Sequence, residues 1–291
     1  MPTSIAPQRA RLGRRLRELR AVAYASGSAL ARYLAERHPE GSWHQTRVSK
    51  LERGEQRPTA ADITQWIEAT GATEDEAQQL WELLAAARIE YATVGAFYEA
   101  HGGPAQYQAS VAAQESTTGH IRKYQPAMMP GFIQTSAYAR ELLSLPTGPA
   151  YFGATPADIE EMVTQRVHRQ DVLYQPNKTI QIVLGEAALH TRPGKVDTLA
   201  GQLDRLVTIA GLVSVELGIV PFGTPTPVIP LTGFTVHDDV VLIETLAGEQ
   251  RLDDGTDVAL YLRAFDQLRE AAVTGADATA LIQRASAALR D

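Results

Sequence analysis

The chain has 291 residues, 44% of them hydrophobic and 21% charged, which is enough apolar material for more than one core and excludes a disordered chain. The absence of cysteine excludes disulfides and thiolate metal sites and fits a cytoplasmic protein, and no apolar run reaches the roughly 18 residues that a membrane span needs. The net charge of -7 divides unevenly: residues 1–70 carry +5 and the remainder -12, so a basic N-terminal module precedes an acidic body, and the first part is the one suited to a polyanion.

In chain order, a first helix is expected over residues 7–22, with Leu12, Leu16 and Leu19 on one stripe and Arg11, Arg14, Arg15 and Arg17 mainly off it. The first 20 residues hold six arginines and no apolar stretch, unlike a secretory signal. A second helix follows over residues 28–37, with Leu30, Ala31 and Leu34 inward and Ala31 small enough for another helix to come close. A third starts after Ser42 as N-cap and runs through Arg53, with Val48 and Leu51 inward and Gly54 as its stop. Pro58 and Thr59 introduce a fourth over residues 60–70, carrying Ile63, Trp66 and Ile67. Thr73-x-x-Glu76 is a capping box for a fifth, with Leu80, Leu83 and Leu84, that continues to about Tyr91.

This pattern resembles the phage-repressor-like (Xre-type) DNA-binding domain over about residues 9–84, on Leu30-Ala31, Leu34, Val48, Leu51-Glu52-Arg53-Gly54 and Pro58. The resemblance implies double-stranded DNA as partner, with the third helix in the major groove and its N-terminal residues at base edges. With Val48 and Leu51 inward, His44, Gln45, Thr46 and Lys50 face the groove. Gln can pair bidentately with adenine and Lys can donate to guanine. Arg47 lies between the faces and reaches groove or phosphate, while Arg53 and Arg57 are phosphate contacts. The alternative for each is an ordinary solvated side chain. Trp43 and Trp66 read as packing residues. The resemblance further implies an ion pair between Arg20 and Glu52 that ties the first helix to the end of the third. One departure is plain: the family joins the second and third helices by a tight Gly-containing turn, whereas residues 37–42 make a longer connection that leaves the start of the third helix open.

Beyond this domain (residues 1–90), His101-Gly102-Gly103-Pro104 marks a linker over residues 91–110. Helices are expected over residues 107–124, 134–145 and 157–174, with a loop at 146–156. Period-two alternation then predicts strands over 179–184 and 213–220, separated by a helix over 197–210. A hairpin follows, 233–236 with 240–244, turning at His237-Asp238-Asp239, and two helices close the chain over 257–273 and 277–289. The fold class is therefore α+β: an all-α five-helix helix-turn-helix domain, then a larger mixed α/β domain, residues 111–291, with a small sheet flanked by helices.

Tyr124-x-Pro126, Pro130-Gly131-Phe132-Ile133-Gln134-Thr135-x-x-Tyr138-Ala139, Arg166-x-x-Arg169-Gln170, Gly185-Glu186-Ala187-Ala188-Leu189, Gln202-Leu203, Pro221-Phe222, Phe234-Thr235 and Glu244 follow one another in the body. In that order they resemble the C-terminal domain of unknown function of bacterial antitoxin-like helix-turn-helix regulators. That resemblance implies a transcription regulator, often paired with a small protein encoded nearby, and implies no ligand.

No P-loop, Gly-x-Gly-x-x-Gly, His-Glu-x-x-His or Gly-x-Ser-x-Gly occurs, so neither catalysis nor a cofactor or metal is expected. Glu186 and Glu244 near strand ends, with His190, have the makings of an acid-base or metal site; the preferred alternative is that Glu186 pairs with Arg166 or Arg169 structurally. Tyr124, Tyr138, Phe222 and Phe234 either line a ligand pocket with these charged residues or are core. The leading functional reading is a homodimeric DNA-binding regulator controlled through its C-terminal domain by a small ligand or a small partner protein. An antitoxin-like protein devoted to that partner, and an enzyme on a DNA-binding scaffold, are the alternatives.

Overall fold

The computed structural model describes residues 7–88, 90–225, 228–229 and 232–289. The chain divides into two compact units, Met1–Glu90 and Tyr91–Asp291.

The first unit is five helices: α1 (Pro7–Ala23), α2 (Gly27–Arg37), α3 (Gln45–Glu52), α4 (Ala60–Thr70) and α5 (Glu74–Arg88). Leu12, Leu16 and Leu19 of α1 meet Leu30, Ala31 and Leu34 of α2, Val48 and Leu51 of α3, Ile63 and Trp66 of α4, and Leu80 and Leu84 of α5 in one core. Trp66 is fully buried, and its indole N–H donates to Leu16 O at 3.2 Å, so its polar atom is satisfied inside that core. Thr59 and Asp62 form a reciprocal capping box at the start of α4. A close helix approach falls at Gly13: a Cβ there would stand 2.6 Å from Glu52 O and 2.8 Å from Leu51 O. A glycine inside a helical pattern was the signal, since its helix-propensity cost of about 1 kcal/mol is offset here by letting α1 pack directly on the end of α3.

The second unit begins where a linker was expected. Residues 91–110 are ordered secondary structure: strand β1 (Glu90–Thr93), helix α6 (Val94–His101) and the start of α7 (Pro104–Thr117). His101-Gly102-Gly103-Pro104 is the turn between two packed helices, with Gly102 and Gly103 at positive φ and Pro104 opening α7. After α7 come β2 (His120–Gln125), α8 (Ser136–Leu143), α9 (Pro156–Arg169), β3 (Thr179–Gly185), α10 (Val196–Ala210) and β4 (Val215–Val220). The chain continues with β5 (Phe234–His237), β6 (Val240–Glu244), β7 (Gly248–Leu252), α11 (Gly255–Ala271), β8 (Val273–Thr274) and α12 (Gly275–Ala287). The eight strands form one sheet in the order β1-β7-β6-β5-β2-β3-β4-β8. β2, β3 and β4 are parallel, while β5, β6, β7 and β8 join antiparallel.

Two expectations are corrected here. Residues 120–125 are not the end of a helix but the strand at which parallel and antiparallel pairing meet. Its sequence, HIRKYQ, hides this because Lys123 is buried among polar partners and so breaks the apolar alternation. β7, absent from the sequence reading, carries Glu249, Gln250 and Arg251 in its middle, again a strand without an apolar stripe.

Helices cover both faces. On one, Ile180, Ile182 and Leu184 of β3 pack with Leu199, Leu203 and Leu206 of α10 and Ala278 and Ile282 of α12. On the other, Tyr124, Val183, Phe234 and Val236 pack against Phe265 and Leu268 of α11. The first face is apolar over β3, β4 and Ile121 of β2. Across β2, β5, β6 and β7 the same pleat presents Lys123, Thr235, Leu242 and Arg251 in register, with Glu244 opposite Glu249, and this half of the sheet is polar.

Candidate nucleic-acid interface and a polar cluster in the second unit

The connection between α2 and α3 is a built element. A single 3-10 turn, Pro39–Gly41, fills it, and Ser42 ends that turn in the left-handed conformation (φ 48°, ψ 43°). Ser42 is therefore not the N-cap of α3. His44 takes that position, without a side-chain capping bond, and Gln45, Thr46 and Arg47 form the first turn of the helix. His44, Gln45, Thr46 and Lys50 are exposed, while Val48 and Leu51 are fully buried. The first-turn N–H groups of α3 thus lie beside Gln45 and Thr46, at the end of a helix that favours anions.

Arg47 is the correction in this set. It points inward, donating to both carboxylate oxygens of Asp62 at 2.9 and 3.1 Å and to Gly41 O. Its guanidinium lies 4.7 Å from the ring centroid of Trp43, which in turn donates to Gln65 Oε1 at 2.7 Å and meets Trp66 edge-on. Asp62 is buried, so it needs this cation, and the pair draws Arg47 away from the outer face. Arg53, just past the helix, is exposed and bonded to Ser49 and Glu55; Arg57 is half-buried. Arg20 donates to Glu52 at 2.7 and 3.0 Å, joining α1 to the end of α3 beside the Gly13 contact. Arg11, Arg14 and Arg17 are exposed along α1.

In the second unit the residues considered for a ligand pocket fall in four places. Tyr138 is fully buried in the core under α10. Tyr124 and Phe234 meet at a tilt, with ring centroids 5.7 Å apart, in the core on the opposite face. Glu186, at the end of β3, accepts from the Phe222 backbone N–H at 2.6 Å, and His190 stacks on the exposed Phe222 ring at 5.9 Å. Glu186 pairs with neither Arg166 nor Arg169, and Glu244 lies apart from it, so no Glu186–Glu244 carboxylate pair exists. Among the described residues no group of three His, Cys, Asp or Glu side chains is placed to hold a metal.

Arg166, Arg169 and Glu244 do come together, on the polar half of the sheet. The i, i+3 spacing puts both arginines on one face of α9. Arg169 makes a bidentate pair with Glu115 of α7, at 2.9 and 2.6 Å, and donates to Gln108 Oε1 at 2.8 Å. Both partners are buried, 9% and 4% exposed at their side chains. Lys123 donates to Thr235 Oγ1 at 2.8 Å and to Glu244 at 3.3 Å. Lys178 caps the end of α7, donating to Glu115 O, Ser116 O and Thr118 O. Sequence reasoning missed Gln108, Glu115, Lys123, Lys178, His237 and Glu249. Partners of several of them lie more than 100 positions away, 121 for Lys123 and Glu244 and 123 for His237 and Gln114, and no local pattern reports such pairings.

Burial dominates the electrostatics. It lowers Arg166 to about 10, helped by the adjacent Arg169. It lowers His237 to about 4, and raises Glu249 to about 7 with the help of Glu244. Lys123 instead holds Glu244 below its ordinary value.

These shifts give opposite pH dependences. Between about pH 4.5 and 7 native Glu249 holds a proton that the unfolded chain has lost, so its contribution to stability falls as pH rises. Between about pH 4 and 6.5 the unfolded chain protonates His237 and the native state does not, so that contribution falls as pH drops. We expect the two to offset each other in the wild type. Glu249→Gln should leave a second unit that loses about 1–3 kcal/mol between pH 6.5 and 4.5, measured by urea unfolding across pH. A flat profile in that variant would show that His237 is not held neutral.

In comparison with known proteins, residues 11–80 match a Helix-turn-helix domain, which fits the helix order, capping and turn described above. Residues 108–284 match the Domain of unknown function (DUF5753), and the chain belongs to that family. No curated protein matches the chain. A solved structure of TrmBL2, an archaeal chromatin protein described as showing a novel mode of DNA binding, is 15% identical over 84% of this chain and 80% of that one. Its TM-score is 0.32, a likeness too slight to assign fold or function.

Proposed function

We propose that the chain is a sequence-specific DNA-binding transcriptional regulator, with α3 as the recognition helix and the second unit as a control domain for a small ligand or small partner protein. The observation that carries the reading is the outer face of α3: His44, Gln45, Thr46 and Lys50 stand exposed at the end of a helix whose other side is anchored by Val48, Leu51 and the Arg20–Glu52 pair. Gln45 and Lys50 are the residues for direct base contact, and Arg53 and Arg57 supply charge for the backbone. One short helix reads only a few base pairs, so a homodimer on two half-sites about one helical turn (~34 Å) apart is the working form. No catalytic role is assigned to either unit, and the control domain acts by favouring one of two states of the protein.

The reading is tested by selecting bound sequences from random DNA and measuring affinity against salt. The expected result is a two-part recurring site and an affinity that falls steeply with salt concentration. Gln45→Ala and Lys50→Ala should each cost about 1–3 kcal/mol on that site and relax the preference at one position. Selection that returns no recurring sequence overturns the proposal.

A further inference from the structure

The polar cluster of the second unit contains a guanidinium that the protein does not neutralise. Its other charges pair off, Arg169 with Glu115 and Lys123 with Glu244. Arg166 has no carboxylate within ion-pair distance among the described residues, and Glu244 acts on it only from further off. Its hydrogen bond goes from Nη1 to the neutral amide oxygen of Gln134 at 2.6 Å, and its buried Nε has no partner. Glu249, across the cluster, is pushed up to about 7 by burial, which weakens it as a counter-charge. Holding a half-buried cation, its Nε fully covered, without an adjacent counter-charge costs free energy, and one added negative charge relieves that cost.

There is also a place for that charge. A Cβ on Gly131 would lie 3.4 and 3.7 Å from the two terminal nitrogens of Arg169 and 3.8 Å from Arg166 Nε. Gly131 is not at positive φ, so the backbone itself does not demand glycine there. The missing side chain leaves room for about one methyl group, edged by both guanidinium groups. The cluster opens to solvent at Glu244, whose side chain is 59% exposed above the 8% exposed Lys123. Tyr98 and Tyr107, with ring centroids 6.0 Å apart, stand near Arg166 as an aromatic wall.

We propose that Arg166 anchors a small monocarboxylate, which enters past Glu244 and lodges its carboxylate beside Gly131. The inference rests on the reading of the second unit as a ligand-controlled domain. An arginine edge and a carboxylate match in geometry as well as charge. A phosphate dianion matches less well, because it exceeds the single charge to be balanced and its double charge is repelled more strongly by Glu244.

The test uses the full-length protein with the sodium salts of acetate, propionate, butyrate and benzoate, against sodium chloride at equal ionic strength and against inorganic phosphate. Thermal unfolding and calorimetry should show stabilisation by at least one carboxylate and none by phosphate beyond chloride. Arg166→Gln should weaken that binding more than tenfold. Gly131→Ala adds one methyl at ordinary contact distance, so it should keep the wild-type circular dichroism yet weaken binding to a similar degree. No carboxylate effect beyond chloride, stronger binding of phosphate, or undiminished binding by Gly131→Ala would each overturn the proposal. Gel shift on the selected DNA, with and without the best carboxylate, separates the two claims. Binding that alters DNA affinity supports both, whereas binding without any change upholds the site and removes ligand control.

Discussion

Arg169→Met is expected to destabilise the second unit by about 3–5 kcal/mol, because it leaves the Glu115 carboxylate buried without its cation. The Glu115 side chain is 4% exposed, and Arg169 supplies both of its charge-assisted bonds. Gln108 would lose its partner in the same substitution. Removing the second charge as well should recover much of the loss, since a buried pair replaced by apolar groups of similar size is often close to neutral. Glu115→Leu with Arg169→Met should therefore be more stable than Arg169→Met alone. Urea unfolding of the two variants checks this; equal stabilities would mean that the ion pair is not the source of the loss.

Arg47→Met is expected to act on both stability and recognition. Asp62 would remain in the first turn of α4 at 4% side-chain exposure with its cation gone, at a cost of about 2–4 kcal/mol. The 3-10 turn would lose the bond to Gly41 O, and Trp43 its stacked guanidinium. Those contacts hold the connection into α3, so the placement of Gln45 and Lys50 should loosen and affinity for the selected DNA fall by more than tenfold. The salt dependence separates this from a direct contact. If Arg47 touched phosphate, its loss would lower the slope of log affinity against log salt by about one unit with little change in stability. Acting through position, it should leave the slope near its wild-type value while lowering the unfolding midpoint of the first unit. Because Asp62 also serves the capping box, Asp62→Asn with Arg47→Met is the control: it keeps hydrogen-bonding capacity at α4 and removes the stranded charge.

How legible the molecule was from its sequence varied with the range of the interactions involved. The five helices of the first unit were readable because their signals are local. The 3.6-residue spacing of Leu12, Leu16 and Leu19, the Thr59 and Thr73 caps and the Gly54 stop each act within a turn or two of chain. The start of α3 was misplaced at Ser42 because Ser is a good N-cap by composition, and only packing of the buried Trp43 moves the cap to His44. In the second unit β3 and β6 were visible as apolar strands. β2 and β7 were not, because they face a polar layer and alternate charge with charge. The turn at Gly102-Gly103 shows the same limit from the other side: glycine and proline announce that the chain changes direction, but not whether the flanking segments pack together.

Periodicity, capping and charge are properties of neighbouring residues, and they suffice to place a basic helix-turn-helix module ahead of an acidic α+β body and to turn one face of the third helix outward. The tertiary structure decided what Arg47, Glu115, Lys123 and Arg166 do. Arg47 is committed to Asp62, Glu115 to Arg169 and Lys123 to Glu244, which leaves Arg166 bonded to the neutral amide of Gln134 rather than to a carboxylate. The physical reason is that a charged side chain in low dielectric takes whichever opposite charge the fold brings within about 3–4 Å. That choice depends on helix crossings and strand register set by residues far away in the chain.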